Sequence, residues 1–508
     1  MKLRVETTSG VLEGRADDGV ARFLGIPYAQ PPVADRRFRP PEPADPWPGV
    51  RDASAFGFSA PQTELAGAAL PGMGVGPQGE DCLHLNVWTP AADTGRRPVL
   101  VWIHGGGFIV GSGSQTTYDP VALVARGDVV VVTVNYRLGA LGFLYMGARG
   151  AEQLGAIANP GILDQIEALA WVRDNAAAFG GDPGNVTIFG ESSGGRSVAT
   201  LLGTPAARGL FQRAIAQSGA ASHGHDPASA SAIAGELLRE LEIPEAETER
   251  LRRVPVAALL AAQGRIVARR VGTPGWLPFQ PVADGVVLPE PPLAAIQSGL
   301  SRDVPILLGS NRDEWKLFAA MDPRLRNLDE AGLRARVVER VPGADVARAG
   351  ALIEGYRRSG EARVGTTPLE LFCALETDRV YRLPALRLAE AQIAAHGSVH
   401  AYHFTWPAAL LGGSLGACHG VEVPFVFGSV GNPAGRAFAG SGPEVDALSA
   451  RVMDAWSSFA ASAKPRARDL PDWPAYTTAR RETMVLGAAC EVELDPGGAT
   501  RRLWDGIL

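Results

Sequence analysis

Short apolar runs separated by turns recur along the first half of the chain. The runs at 99–103 and 129–134 consist almost entirely of β-branched and other apolar residues, which is typical of strands buried on both faces of a sheet. Between the second run and a third at 186–190, residues 163–174 carry apolar side chains at helical spacing. Strand, helix and strand in this order predict a parallel βαβ unit with a right-handed crossover.

The flanking regions follow other patterns. Strand signals at 11–14 and 21–28 predict antiparallel edge strands, and later strands are expected at 304–310 and 400–406. The stretch at about 320–395 is charged and helical, so we interpret it as an insertion or lid. Strands that alternate with helices predict an α/β fold with a largely parallel sheet.

Composition narrows the class of protein. The 508 residues are 46% hydrophobic and 20% charged, which is typical of a globular protein with a large core. The net charge of −6 argues against a nucleic acid held on a basic surface. No run of about 18 apolar residues and no signal-type leader is present, so we expect a cytoplasmic protein without a membrane span, with a trimmed secreted form as the alternative.

The cysteines are few and scattered. Cys82, Cys373, Cys418 and Cys490 are far apart and form no C-x-x-C pair. A zinc ribbon and a redox-active disulfide are therefore not indicated. Free thiols in a reducing compartment are the simpler interpretation.

Candidate chemistry starts at residues 186–195. A strand signal leads into Gly190, Ser192 and Gly194, which form a G-x-S-x-G pattern, and a helical stretch follows. This is the context of a nucleophile elbow, in which a strained turn presents the serine at the end of a strand. A five-residue pattern also arises by chance, so the serine needs a base, an acid and oxyanion donors elsewhere in the chain.

Candidates for these roles follow predicted strands. Residues 104–108 read His-Gly-Gly-Gly-Phe directly after the first central strand, and glycines leave backbone N–H groups open to a substrate oxygen. His419 lies in a glycine-flanked loop where a histidine has no packing role, whereas His403 fits a strand and is interpreted as structural. Asp313 and Glu314 are adjacent carboxylates between which the residues alone do not choose, and either could instead cap the next helix.

Sequence blocks along nearly the whole chain carry a resemblance. Besides GESSG and HGGGF, they are FLGIPYAQPP from Phe23, EDCLHLNVW from Glu80, NYRLG from Asn135, NPGILDQ from Asn159, FGGDP from Phe179, QSG from Gln217, GSNRDE from Gly309 and CHGVEVPFVFG from Cys418. In this order they resemble the carboxylesterase/cholinesterase family, the type B carboxylesterases of the α/β-hydrolase fold.

The resemblance implies one α/β-hydrolase domain over 1–508, with a large mixed, mostly parallel sheet, flanking helices and a helical insertion at about 320–395. It also implies a serine carboxylesterase that forms an acyl-enzyme, with small-molecule esters as partners and no cofactor or metal. Short to medium acyl and aryl or p-nitrobenzyl-type esters are the expected substrates, and the oligomeric state, monomer or dimer, stays open. The implied site residues are Ser192 as nucleophile, Glu314 as triad acid, His419 as base, and Gly106, Gly107 and Ser193 as oxyanion-hole donors.

The resemblance also bears on stability. It implies two buried structural ion pairs, Arg37 with Glu80 and Arg137 with Asp164. In secreted members the position of Cys82 forms a disulfide, but no earlier cysteine is present here, which again favours a reducing compartment.

The chain departs from the family's pattern near the nucleophile. Ser193 stands where alanine is usual, and a backbone N–H serves the oxyanion in either case. Arg196 lies one helical turn after the nucleophile, where small residues are preferred and a buried charge would need a partner. His223, His225 and Asp226 follow the QSG block, where they could line the acyl pocket, be solvated or, as a weaker alternative, hold a metal.

Other functions are known on this fold. A lipase of long-chain glycerides would be activated at an oil interface, and a hydrolase of a specialised ester, carbamate or amide would use the same residues. Neuroligin-like binding proteins are the non-catalytic alternative, but those lack the nucleophile that this chain retains as Ser192.

Overall fold

One β-sheet runs through the molecule. The computed structural model describes residues 2–17, 19–63, 71–221, 224–273, 276–361 and 363–508. Within these residues the sheet has thirteen strands. They are β1 (Lys2–Thr7), β2 (Gly10–Asp17), β3 (Val20–Pro27), β4 (Val50–Asp52), β5 (His84–Thr89), β6 (Arg97–Ile103), β7 (Val130–Val134), β8 (Gly181–Glu191), β9 (Arg213–Gln217), β10 (Ile306–Asn311), β11 (Val399–Phe404), β12 (Glu482–Leu486) and β13 (Glu491–Leu494).

The sheet is mixed and mostly parallel, as predicted. Its strand order is β1-β2-β3-β5-β7-β6-β8-β9-β10-β11-β12-β13, with β4 beside β2. Every neighbouring pair from β7 through β12 is parallel. The pairs that join β1, β2, β3, β5 and β7 are antiparallel, as is β12 with β13. The predicted antiparallel edge at 11–14 and 21–28 is thereby confirmed as β2 and β3.

Helices connect the strands. In the described residues the α-helices are α1 (Val121–Gly127), α2 (Gly139–Phe143), α3 (Gly147–Leu154), α4 (Pro160–Asn175), α5 (Ser193–Leu202), α6 (Pro227–Glu240), α7 (Val256–Arg270), α8 (Pro292–Gln297), α9 (Trp315–Met321), α10 (Glu330–Arg340), α11 (Val346–Arg358), α12 (Pro368–Thr377), α13 (Leu383–Ala394), α14 (Val423–Phe427), α15 (Pro433–Ala439), α16 (Pro443–Ser462) and α17 (Gly498–Arg502). Short 3₁₀ segments occupy Ala34–Arg36, Thr116–Tyr118, Ala176–Phe179, Pro205–Ala207, Glu245–Arg253, Pro323–Leu325, Leu410–Gly413 and Ser429–Gly431. A π-helical turn at Asp378–Arg382 joins α12 to α13.

Strand β6 shows why the central strands are apolar throughout. Successive side chains on a strand point to opposite faces, so a sheet covered on both sides favours apolar residues on both faces of its strands. Val99, Val101 and Ile103 pack in one hydrophobic cluster, and Leu100 and Trp102 pack in another. The two clusters therefore lie on opposite faces of this strand.

The predicted βαβ unit is present, although its strands are not neighbours. Strand β7 leads through α4 to β8, and β6 lies between the two strands in the sheet. The sequence pattern predicts that these strands are parallel, but the order in which strands pair depends on contacts across the sheet.

The helical stretch predicted at 320–395 lies between β10 and β11. Helices α9 to α13 occupy it and share a hydrophobic cluster with Trp504 near the end of the chain. Tyr356, Tyr381 and Trp504 are fully buried in this cluster. That the chain is one domain with this stretch as an insertion stays a prediction.

Both ion pairs expected from the sequence are formed. The guanidinium of Arg37 contacts both carboxylate oxygens of Glu80 at 2.7 Å. Arg137 holds Asp164 with its backbone N–H and with two guanidinium nitrogens, at 2.6 to 3.0 Å, and the side chains are 3% and 0% exposed. Removing either partner of this second pair would leave a buried charge unpaired.

All four cysteines are free thiols. Cys82, Cys373 and Cys418 are buried. Among the described residues, no helix has the length and apolar character that a bilayer crossing requires.

Candidate active site

Ser192 lies in the turn between β8 and α5. Its backbone has φ 59° and ψ −123°, a strained conformation of the kind found at the serine of a nucleophile elbow. The Ser192 N–H donates to the Gln217 carbonyl of β9 at 3.0 Å and so fixes the turn to the sheet. Only glycine fits at position 194, because a Cβ there would overlap the carbonyl oxygen of Ile103. The predicted strand, tight turn and helix around Ser192 are confirmed, and the role of Ser192 as nucleophile stays a prediction.

Glu314 and His419 meet beside this turn. Glu314 is fully buried just before α9, and its Oε2 lies 2.6 Å from His419 Nδ1. Its other oxygen accepts the N–H of Asn311 at 2.7 Å, which holds the carboxylate in place. A carboxylate at Nδ1 favours the tautomer with its proton on that nitrogen and leaves Nε2 as the basic atom.

Asp313 makes different contacts from its neighbour. Its carboxylate lies 2.9 Å from both the Arg312 and Lys316 side chains and accepts the Ala417 N–H at 2.9 Å. Burial raises the pKa of Asp313, but the two cations outweigh burial and hold that pKa below its ordinary value. Asp313 thus secures the loop that carries His419, and Glu314 is the carboxylate that contacts the ring.

The other nitrogen of His419 faces a second carboxylate. His419 Nε2 lies 3.0 Å from Oε1 of Glu191, the residue that precedes the elbow serine. No hydrogen bond joins Ser192 Oγ to His419 within the part of the chain that the structure describes. A catalytic hydrogen bond is often absent before substrate binds.

Two buried carboxylates near His419 were not recognised from the sequence, although both lie inside quoted blocks. Glu191 is adjacent to Ser192, and Glu422 follows His419 by three residues. Burial raises the pKa of Glu191 to about 8. Burial alone would lower the pKa of His419, but Glu191 and Glu314 outweigh it and raise that pKa to about 9. Burial and then Glu314 raise the pKa of Glu422, which accepts Asn311 Nδ2 at 2.6 Å.

The glycine loop after β6 supplies free backbone donors. The N–H groups of Gly106, Gly107 and Ser193 have no acceptor among the described residues, and Ser193 is the first residue of α5. Gly106 has φ 112°, and a Cβ there would overlap the carbonyl of Val110. Position 105, the residue before Gly106, packs on the elbow, since a Cβ there would lie 3.1 Å from that of Ser192. The loop is therefore built as an N–H cradle beside the serine.

Aromatic side chains cover the histidine. The rings of Tyr381 and Phe318 have centroids 4.7 Å and 5.1 Å from that of His419, and Trp276 lies 5.7 Å from Phe318. Tyr381 is in the π-helical turn, a feature that frequently marks functional sites. Because these residues come from distant segments without a shared motif, the sequence offered no signal for them.

The remaining candidates have other roles or lie outside the described residues. His225 Nε2 contacts the Pro278 carbonyl oxygen at 3.1 Å, and Asp226 caps α6. His223 is not among the described residues. His403 lies in β11, as expected of a structural histidine. No group of three or more potential metal-ligating side chains occurs among the described residues.

Known proteins resemble this sequence along nearly its whole length. The chain matches the sequence profile of the Carboxylesterase family over residues 2–499. It belongs to the carboxylesterase family. It is 38% identical to the para-nitrobenzyl esterase of Bacillus subtilis, over 98% of this chain and 97% of the relative. It is also 38% identical to a phenmedipham hydrolase of Pseudarthrobacter oxydans, over 95% of this chain and 94% of the relative.

Solved structures of carboxylesterases have the same fold. A carboxylesterase of Geobacillus stearothermophilus superposes with a TM-score of 0.87 at 41% identity, and each chain covers 99% of the other. A PNB esterase structure gives 0.88 at 38% identity with the same coverage. The protein is thus a carboxylic ester hydrolase with the α/β-hydrolase fold, as the sequence blocks predicted.

Proposed function

We propose that this carboxylesterase hydrolyses short- to medium-chain and aryl esters through an acyl-enzyme on Ser192. His419 is the general base, and Glu314 orients its ring and stabilises the imidazolium that forms. The N–H groups of Gly106, Gly107 and Ser193 bind the oxyanion. The proposal takes 1–508 as one catalytic domain, whose helical insertion at about 320–395 contributes to the substrate site.

The reaction proceeds in two halves. His419 Nε2 takes the proton from Ser192 Oγ as the oxygen attacks the ester carbonyl, and the negative oxygen is received by the free N–H groups. The imidazolium then protonates the leaving alcohol. Water repeats the sequence on the acyl-enzyme and releases the acid. Binding of substrate displaces Nε2 from its position beside Glu191 toward the serine.

One contact carries this proposal. The 2.6 Å approach of Glu314 to His419 gives the histidine an oriented, basic Nε2 beside a strained serine, and this combination is the functional core of a serine hydrolase. The aromatic rings of Tyr381 and Phe318 around His419 favour substrates with apolar or aryl groups.

The first experiment replaces the nucleophile. Ser192→Ala is expected to abolish 4-nitrophenyl acetate turnover while circular dichroism and unfolding stay as in the wild type. Ser197→Ala is the matched control, because this hydroxyl on the same helix bonds Gln165 at 3.0 Å and no reacting group. Wild-type kcat in Ser192→Ala would rule the assignment out.

The substrate range is tested with esters of graded size. The names of the two bacterial relatives make p-nitrobenzyl esters and phenmedipham natural members of the panel. We expect good turnover of soluble short-chain esters. Strong activation at an oil interface together with poor turnover of soluble esters would favour the lipase alternative instead.

A further inference from the structure

Arg196 is a buried cation for which the described residues provide no counter-ion. The residue is 4% exposed, and its Nε is buried without a hydrogen-bond partner. Among the residues that the structure describes, none forms an ion pair or hydrogen bond with this guanidinium. An unpaired buried charge is strongly unfavourable, so such a group calls for a partner.

Other buried arginines of this protein meet that requirement. Each bonds a carboxylate within 2.8 Å: Arg37 with Glu80, Arg137 with Asp164, Arg340 with Glu376 and Arg382 with Asp378. The fold therefore supplies partners where an arginine has a structural role. Arg196 differs from all four in this respect.

Arg196 also lies at the active site. It is in the first turn of α5, and its backbone N–H donates to the Ser192 carbonyl at 3.0 Å. Burial lowers the pKa of Arg196, and the titratable groups near enough to act on it are Tyr381, Glu191 and Arg379. Tyr381 is the residue whose ring packs on His419. The guanidinium thus shares its surroundings with the catalytic histidine.

The neighbouring charges do not neutralise it. Glu191 faces His419 Nε2 at 3.0 Å and forms no ion pair with Arg196, whose Nε has no described partner. Burial also raises the pKa of Glu191, which further weakens this carboxyl as a counter-ion. Arg379 is a like charge that is bound to Glu376 at 2.7 and 2.9 Å. No described residue therefore neutralises Arg196, and the position is open to an anion from a bound ligand.

We propose that Arg196 binds a carboxylate on the substrate, so that esters with a second, free carboxylate group are preferred over their neutral counterparts. A guanidinium offers two parallel N–H donors to a carboxylate and is the side chain best suited to this recognition. The carboxylate belongs either to the acyl part, as in a half-ester of a dicarboxylic acid, or to the alcohol part. This inference rests on the proposed esterase function.

The test compares matched esters that differ in one charge. For the acyl part, the pair is 4-nitrophenyl hydrogen glutarate and 4-nitrophenyl methyl glutarate. For the alcohol part, the pair is 4-carboxyphenyl acetate and 4-(methoxycarbonyl)phenyl acetate. The measured quantity is the ratio of kcat/KM for the anionic ester to that for its neutral partner, so a general loss of activity cancels.

Arg196→Met is expected to lower this ratio by about tenfold or more in one of the pairs, because a charge-assisted hydrogen bond is lost. The pair that responds identifies the part of the substrate that carries the carboxylate. Arg196→Lys keeps the charge but lacks the two parallel N–H donors of the guanidinium. Its anionic-to-neutral kcat/KM ratio is expected to lie between those of the wild type and Arg196→Met. Arg213→Met is the control, since this arginine begins β9 and contacts Asn185.

Two results would overturn the proposal. In the first, the kcat/KM ratio of Arg196→Met stays within about threefold of the wild-type ratio for both ester pairs, although a lost charged contact should lower it further. In the second, Arg196→Met shifts the pH profiles of kcat/KM for the anionic and the neutral ester equally and leaves their ratio unchanged. Arg196 would then serve as the counter-charge of Glu191. If the wild type hydrolyses no neutral ester, the proposed function fails instead.

An inhibition measurement needs no variant. Free glutarate should inhibit hydrolysis of a neutral ester by the wild type about tenfold more strongly than glutaramide does, because only the dicarboxylate offers Arg196 an anion. Equal inhibition by the two compounds would count against the site even if Arg196→Met failed to fold.

Discussion

Replacement of Glu314 by glutamine keeps the size of the side chain and removes its charge. In the structure one Glu314 oxygen accepts the Asn311 N–H at 2.7 Å and the other lies 2.6 Å from His419 Nδ1. The amide oxygen of the introduced glutamine must satisfy Asn311, so its NH₂ group turns toward the ring. Nδ1 then has to accept a hydrogen bond, and the proton moves to Nε2, where the base is needed.

The expected loss follows from this tautomer. A histidine protonated at Nε2 cannot take the proton from Ser192, and the carboxylate that would stabilise the imidazolium is gone. The equivalent change in a serine protease triad lowers kcat by about 10⁴-fold, which corresponds to about 5.5 kcal/mol. We expect a decrease of this order for Glu314→Gln.

Asp313→Asn is the matched control. Asp313 contacts Arg312, Lys316 and the Ala417 N–H and does not contact the histidine ring. In urea unfolding, the free energy of unfolding of Asp313→Asn should be about 1–3 kcal/mol lower than that of the wild type, because a buried charged contact is weakened. Its kcat should stay within about tenfold of the wild type, since His419 keeps its own carboxylate.

The assay is saturation kinetics with a soluble 4-nitrophenyl ester, with circular dichroism as the check on folding. The reasoning is refuted if folded Glu314→Gln keeps more than about a tenth of the wild-type kcat, because the loss of a triad carboxylate should leave about 10⁻⁴ of it. It is also refuted if Asp313→Asn loses more kcat than Glu314→Gln does.

Two further predictions concern stability and pH. Arg137→Met leaves Asp164 buried and unpaired and should destabilise the fold by about 3–5 kcal/mol, whereas Arg173→Met, in the exposed pair with Asp174, should change stability by less than about 1 kcal/mol in urea unfolding. The Glu191 carboxylate raises the pKa of His419, and protonated His419 cannot act as base, so Glu191→Gln should move the rising limb of the kcat/KM profile to lower pH. A limb that stays in place or moves to higher pH would contradict this sign.

Local sequence specified much of the fold and the core of the site. The apolar runs predict β6 and β7 because a strand covered on both faces has few positions for a polar side chain. The elbow at Ser192 is readable because a strained turn between a strand and a helix requires small residues at fixed offsets. The glycine loop is readable for a similar reason, since exposed backbone N–H groups need residues without side chains.

Motif order also predicted contacts between distant residues. The pairs of Arg37 with Glu80 and Arg137 with Asp164 were expected from the family resemblance and are formed in the structure. In these cases the inference came from the resemblance, because no periodicity within the chain links residues so far apart.

Tertiary structure decided the rest, because charge and direction depend on what surrounds a side chain. Asp313 and Glu314 are adjacent and chemically alike, and only the path of the chain into α9 points one at the His419 ring and the other at its loop. The fold places the buried Glu191 carboxyl 3.0 Å from His419 Nε2, a contact that the sequence did not predict. The sequence marked Arg196 as unusual, but only the packed structure shows that no described residue hydrogen-bonds its buried Nε.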